Sequence, residues 1–503
     1  MPQVSTSSTM PGPPESAQSA TEPAQLDYWP ETSPSLGARL VKRFISSQLR
    51  VNIASGFVTA AVNVLLMVVS YPLYLHYLGY EKVGVWLLLS SVQNFAQLGV
   101  LGIGPALTKL VAEERGRDDA DGAQRYVSLA TLMVSVTGAV AVVALCAFRA
   151  PVVRALGLSG DNAAIAIRLL PFMGLLTALT FLNQVVMAAL AGVGRMDISN
   201  YCLTCAKLAA LALEVTLLWR GWGVETLLLG DVTGCCVIHV VGHVYLHRHT
   251  GIRMLCRNPW DAKRLSRLMS FAGSMFVASL TNLLIAPLNK VALSNYAGVG
   301  LVPVFDIAFN GTMQLRSLVV AGLGALMPAV SQRGAAGTPG ARRDVRRLYH
   351  RSVRLLLLIA PPCYVLAVLV ARPLLKLWLG ARFRPEIVTA FDILWASALV
   401  SLVAVPAYYV LMATGRVRNC MVSHMVAAAA NIAFVGACLA LRGTVSLRGA
   451  AFAVLAANAV SSAYLMLVNR MAMKAAGQES PISSPLSVVT GQLAADNGQL
   501  TPN

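Results

Sequence analysis

The chain has 503 residues, of which 56% are hydrophobic and only 12% charged, and its mean hydropathy is +0.64. That composition excludes an ordinary soluble globular protein and a disordered one, and places the chain among membrane proteins. The formal net charge of +18 would suit nucleic acid, but no basic domain with interleaved aromatics stands outside the apolar runs to hold it, so anionic lipid headgroups are the expected neighbours.

In chain order, residues 1–45 are rich in Ser, Pro, Gln and Ala and lack a basic start followed by a short apolar core. They read as a disordered cytoplasmic tail and not as a signal peptide. Apolar runs of about 20 residues or more then recur, each long enough as a helix to cross roughly 30 Å of hydrocarbon. Turn and charge punctuation predicts helices near 52–78, 84–112, 123–148, 164–193, 198–219, 223–247, 267–296, 302–329, 346–374, 388–414, 418–441 and 447–471. No ten-residue alternation of the kind a transmembrane β-strand needs is present, so the expected fold is all-α: a polytopic membrane protein of about twelve transmembrane helices. Residues 473–503 are polar and read as a second disordered tail.

Basic residues set the expected orientation. The N-terminal side, the even-numbered loops and the C-terminal side together hold about 26 Lys and Arg, against about 11 in the odd-numbered loops. Both termini are therefore expected to be cytoplasmic, as are the linker at 251–266 and the loop carrying Arg342, Arg343, Arg346 and Arg347.

The halves of the chain resemble each other at a shift of about 220 residues. Tyr77-Leu78-Gly79 with Val83, Val85 and Trp86 stands against Tyr296-Ala297-Gly298 with Val302, Val304 and Phe305, and Gly102-Ile103-Gly104 stands against Gly322-Leu323-Gly324. Gly194-Arg195 likewise matches Gly415-Arg416. Two six-helix lobes follow, one over 46–250 and one over 267–472, joined by the basic linker. Such repeats leave a central cleft where transporters place substrate.

Tyr77-Leu78-Gly79, Val83-Gly84-Val85-Trp86, Leu98-Gly99-Val100-Leu101-Gly102-Ile103-Gly104 and Leu110-Val111-Ala112-Glu113 resemble the first hairpin of a known family. It is that of the polysaccharide transporters and lipid-linked oligosaccharide flippases of the multidrug/oligosaccharidyl-lipid/polysaccharide exporter superfamily. Pro287-Leu288-Asn289-Lys290 and Ala325-Leu326-Met327-Pro328-Ala329-Val330-Ser331 extend the resemblance into the second half. Asn289 stands where members often carry an aspartate. The resemblance implies a two-lobed, MATE-like, alternating-access protein that moves an undecaprenyl-diphosphate-linked oligosaccharide across a bacterial inner membrane for surface polysaccharide biosynthesis.

An ionisable group at mid-membrane costs roughly 2.5–3.5 kcal/mol on insertion scales, so those retained should face the bundle interior or a wet cavity. Lys290, Asp306 and Arg316 are such groups, and Asn310 and Gln314 join them on the eighth span. Gln93, Asn94 and Gln97 give the second span a polar side. Together they are the expected cleft lining, with Arg316 and Lys290 attracting a diphosphate and the amides meeting sugar hydroxyls. The competing expectation is an Asp306 ion pair with Arg316 or Lys290 that only fixes packing. Lys207 and Glu214, seven residues apart on one helix face, are expected to form a structural or coupling ion pair.

His239, His243 and His247 form a stripe at four-residue spacing on the sixth span, read as an interfacial polar seam in preference to a metal site. The nine cysteines form no disulfide framework, and Cys202-x-x-Cys205 reads as packing. With no paired carboxylates in a long loop, no Ser/His/Asp set and no phosphate-binding loop, catalysis is not expected, nor is a cofactor. Expected partners are the lipid-linked oligosaccharide, membrane lipids, a coupling ion (H+ or Na+) and polysaccharide polymerase or export machinery. The alternative functions are a cation-coupled drug or metabolite exporter of the same superfamily, then a membrane glycosyltransferase or ligase, or an assembly scaffold.

Overall fold

A computed structural model of the chain describes residues 36–100, 102–256, 260–323, 339–414 and 416–478. The described residues up to Arg50 belong to one compact unit, and those from Val51 onward to a second. Every regular element among the described residues is helical: α1 (Leu36–Tyr77), α2 (Gly79–Ala96), α3 (Ile103–Gly116), α4 (Ala120–Ala147), α5 (Arg149–Ala155), α6 (Gly160–Gly192) and α7 (Met196–Trp219). They continue as α8 (Glu225–Thr250), α9 (Ala262–Tyr296), α10 (Val302–Leu323), α11 (Pro339–Leu379), α12 (Glu386–Ala413), α13 (Val417–Arg442) and α14 (Leu447–Gln478). Among the described residues nine helices, α1, α4, α6, α7, α8 and α11 to α14, are long and apolar enough to span a bilayer. The α2–α3 pair, α9 and α10 occupy the other expected spans, so the polytopic all-α expectation holds.

Three boundaries differ from the sequence reading. Helix begins at Leu36, inside the stretch expected to be a tail, and the last helix continues to Gln478. The expected second span at 84–112 is interrupted: α2 ends in a single 3-10 turn at Gln97–Val100, and Gly102 precedes α3 at φ +86°. A left-handed residue cannot continue an α-helix, and glycine adopts it without steric cost. The expected eighth span at 302–329 is described as helix only to Leu323; the Ala325–Ser331 motif lies outside the described residues, as do 1–35 and 479–503.

Helices pair in the same pattern in both halves. In the first half α4 packs on α6, α7 on α8, α6 on α8, and α3 on α6; in the second α11 packs on α12, α13 on α14, α12 on α14, and α10 on α12. Lipid tails are as apolar as leucine, so helix association here depends on close packing and interhelical hydrogen bonds and not on escape from water.

The buried clusters divide by membrane depth. At the end where α1 turns into α2 and α9 turns into α10, one core draws on both halves: Leu75, Val85 and Leu88 with Leu293, Val302 and Phe305, and Leu169 and Leu227 with Ile387, Leu394 and Val454. At the opposite end the cores are smaller, and only the start of α9 reaches from one half into the core of the other. One holds Leu107, Leu110, Tyr126 and Phe181 with Leu268 from the start of α9. The others gather Ala407, Leu411, Cys420 and Leu465, and Val345 with Val410. The bundle is therefore joined by an extensive shared core at one end and, at the other, only through the start of α9.

Candidate functional site

The joined end is sealed by contacts that each need a particular residue. Gly84 of α2 lies so close to the Val299 backbone that any Cβ there would overlap its carbonyl. Tyr80 donates its hydroxyl to the Arg382 carbonyl at 2.6 Å, and the Arg384 guanidinium lies 4.1 Å from its ring centroid. Such a cation over an aromatic face is attracted by the ring quadrupole.

Beneath this seal α1 carries two tyrosines three residues apart, and each reaches a carboxylate in a different half. The Tyr71 hydroxyl donates to Asp306 of α10, and Asn310 donates its amide to the same phenol oxygen at 3.1 Å. Lys290 of α9 pairs with Asp306 at 2.5 Å, both residues less than a tenth exposed. The Trp378 indole donates to the Val68 carbonyl at 2.7 Å, tying α11 to the same stretch of α1. Tyr74 instead donates to Glu214 of α7, within the first half. Gly230 of α8 leaves the space that this carboxylate fills. Buried ions persist in a low-dielectric interior only when paired and hydrogen-bonded, which is what Tyr71 and Lys290 supply to Asp306, with Asn310 fixing the Tyr71 phenol.

A row of polar contacts runs from Tyr74 down the α1–α7 seam. Asn63 accepts from Lys207 at 2.8 Å, Thr59 meets Thr204 at 3.0 Å, Asn200 donates to Ser55 at 3.0 Å, and Asn52 accepts from the Asp197 backbone at 3.0 Å. The expected Lys207 to Glu214 ion pair is corrected: Lys207 bonds Asn63 and is attracted by Asp231 of α8, while Glu214 takes Tyr74. Seven residues of helix separate the two side chains by roughly 10 Å along the axis, and a neighbouring helix offers nearer partners.

The other expected residues fall in separate places. The expected pairing of Asp306 is with Lys290 and not Arg316, whose guanidinium donates to Ser401 of α12 at 2.8 Å, with Tyr409 and His424 close enough to interact electrostatically. Asp306 and Asn310 share one face of α10, whereas Gln314 and Arg316 point almost oppositely, because two residues turn a helix by about 200°. One polar side on the eighth span is thus resolved into two. On α2, Gln93 donates to Thr180 of α6 at 3.1 Å. Asn94 and Gln97 are half-buried, as is Gln314. Asn289 is fully buried and donates to Asn431 of α13 at 3.2 Å, a neutral amide pair.

Sequence reasoning missed Tyr71, Tyr74, Asn63, Asp231 and Ser401. The first two were legible as a pair at i, i+3 on one helix, but tyrosines also populate membrane interfaces, and only their neighbours show them to be ligands of carboxylates. The structure contains no group of three His, Cys, Asp or Glu arranged to hold a metal among the described residues.

This helical arrangement has the fold of solved transporters of the multidrug/oligosaccharidyl-lipid/polysaccharide exporter superfamily. A multidrug-resistance MATE transporter in its inward-facing conformation superposes with a TM-score of 0.64 at 18% identity, covering 84% of this chain and 99% of that one. A superfamily transporter from Pyrococcus furiosus superposes at 0.51 and 16% identity, covering 86% and 96%. Residues 78–388 match the family described as Polysaccharide biosynthesis protein, and the chain belongs to that family. It is also 21% identical over 338 residues to a probable flippase, AglR, of Haloferax volcanii, matching 66% of this chain and 63% of that relative's length.

Proposed function

We propose that the protein is a flippase that carries an undecaprenyl-diphosphate-linked oligosaccharide from the inner to the outer leaflet of a bacterial inner membrane by alternating access. Family membership supplies the polysaccharide context. The observation that carries the reading is the asymmetry of the core: one extensive cluster joins both halves at one end, whereas at the other the clusters are separate except for Leu268 and Ala272 at the start of α9, which pack into the first half's core. A closed end opposite a divided end is one of the two states such a carrier must visit. The distribution of Lys and Arg makes the divided end cytoplasmic, the side on which a precursor is loaded, and puts both termini there.

In this reading the Tyr71, Asn310, Lys290 and Asp306 cluster is the tie that holds the outer end shut. Arg316 is the cation left to the substrate, because its bond is to a neutral hydroxyl and no carboxylate lies within ion-pair distance among the described residues. Asn94, Gln97 and Gln314 supply amides for sugar hydroxyls, and Gln93 does so on exchanging its bond to Thr180. A coupling ion, H+ or Na+, is drawn to the Glu214, Asp231 and Lys207 group, and a polymerase is the expected recipient of the flipped precursor.

Deleting the gene in its host and labelling the lipid-linked sugar from each side of the membrane tests this. Precursor accumulating on the cytoplasmic leaflet is the expected result. Normal flipping with altered drug sensitivity would replace the proposal with a cation-coupled exporter of drugs or metabolites.

A further inference from the structure

The histidine stripe plays no part in the cleft. His239, His243 and His247 stand on α8 with nearly parallel rings, 6.1 and 6.4 Å apart between centroids. The Nδ1 atoms of His239 and His243 are buried and have no partner. An N–H buried without an acceptor costs more than a lone pair buried without a donor, so the proton belongs on Nε2, at the accessible edge of each ring.

The chain beyond α8 is bound so as to bring a cation to that edge. Gly251 ends the helix in the left-handed region at φ +72°, and its N–H is donated to the His247 carbonyl at 3.1 Å. The next residues are then strapped to α4: the Gln124 amide donates to the Arg253 carbonyl and accepts from the Arg253 N–H, each at 2.6 Å, and the Cys256 N–H is donated to Ser128 at 3.0 Å. Ile252 and Met254 are buried while Arg253 stays exposed between them. The result is a cavity of about 270 Å³ lined by His243, His247, Arg253, Met254 and Leu255, with no acidic side chain in its wall.

Its surroundings are apolar. Leu255 is 57% exposed at the rim, and Val240 and Val244 on the same stretch of α8 are 59% and 41% exposed. At about 1.5 Å per residue, His247 and His243 lie roughly 5 and 10 Å from the end of α8, the depth of the headgroup and the first carbons of an acyl chain.

We infer that this cavity binds the phosphodiester of an anionic phospholipid, with Arg253 and the His243 and His247 imidazole edges on the phosphate and the acyl chains lying along the valine face of α8. Free phosphate has no use for the apolar wall, and the choline of a zwitterionic lipid would bring a second cation to Arg253. The inference is independent of the cargo.

The test uses the purified full chain in nanodiscs of phosphatidylcholine, with phosphatidylglycerol titrated in and bound lipid counted by native mass spectrometry. Wild type is expected to retain phosphatidylglycerol over phosphatidylcholine. Arg253→Gln should reduce that preference roughly fivefold, the ratio equivalent to about 1 kcal/mol per basic residue at a membrane surface. The His243→Gln/His247→Gln double variant should reduce it as well. Arg347→Gln, at an exposed arginine of the other basic loop, should leave it unchanged. Equal effects from all three variants would reduce the site to general surface charge and overturn the inference, as would no effect from Arg253→Gln in a chain that melts like wild type. Full displacement of the lipid by millimolar inorganic phosphate would make it an anion site and overturn it equally.

Discussion

Helices α1 and α9 hold equivalent positions in the two halves, yet they tie those halves together at opposite ends. From Asn52 to Tyr74, α1 is bound to α7 in its own half, and at Tyr71 and Val68 it crosses to α10 and α11. From Asn289 onward, α9 is bound to α13 and α10 in its own half, and it crosses at its start, where Arg267 meets Glu113 at 2.6 Å and Arg264 lies 3.8 Å from Asp119. The crossing made by α1 is built around a buried ion pair; the crossing made by α9 sets Leu268 and Ala272 in the first half's core beneath partly exposed ion pairs. The helix pairing is alike in the two halves while the ties between them differ.

Removing the buried anchor should have the largest effect. Asp306→Leu leaves the Lys290 ammonium buried without a counter-charge, and a loss of about 3–5 kcal/mol is expected on thermal unfolding in detergent. Adding Lys290→Met should restore most of it; a double variant no better than the single one would refute the pairing as the cause.

Next in size is Gly84→Leu, which inserts a side chain where the α2 backbone meets Val299. Overpacking costs about 1–3 kcal/mol, and here the strain is relieved by parting the joined end. Cysteine crosslinking across that end should fall while the fold persists.

The two tyrosines give the sharper contrast. Tyr71→Phe and Tyr74→Phe each remove one hydrogen bond to a charged group, about 1.5–3 kcal/mol, but only Tyr71→Phe should increase accessibility from the outside. Equal changes in labelling would mean that both act within one half.

Arg267→Gln cuts the exposed tie, and half-exposed ion pairs contribute about 0–1 kcal/mol. Stability should barely move, and less so as salt is raised.

The smallest effect concerns Asp261, whose carboxylate caps α9 by accepting from the Lys263 and Arg264 N–H groups at 3.0 and 3.1 Å. The Arg264 N–H, with its guanidinium 2.7 Å away, holds the Asp261 carboxyl below its ordinary value. A lowered value in the folded state means that the cap stabilises above the unfolded pKa and is lost as pH falls through the folded one. Amide protection in the first turn of α9, taken relative to the intrinsic exchange rate at each pH, should therefore fall on acidification, and Asp261→Asn should flatten that dependence.

The sequence by itself determined the class and most of the spans, and it pointed to a repeat. Apolar length is read against a fixed membrane thickness, and a duplicated pattern is visible in any chain that keeps its helix-end glycines. It also marked Lys290, Asp306 and Arg316 as special, since charge at depth is costly wherever it points. Only the tertiary structure decided partners and faces. Lys207 chose Asn63, Glu214 chose Tyr74, and Arg316 turned to Ser401 and away from Asp306, because each choice depends on which neighbouring helix brings a complementary atom within about 3 Å. The histidine stripe was legible as a stripe, but the strap that sets Arg253 beside it depends on Gln124, 129 residues away in the chain. Period and composition carry no record of such a distance, which is set by how the helices pack.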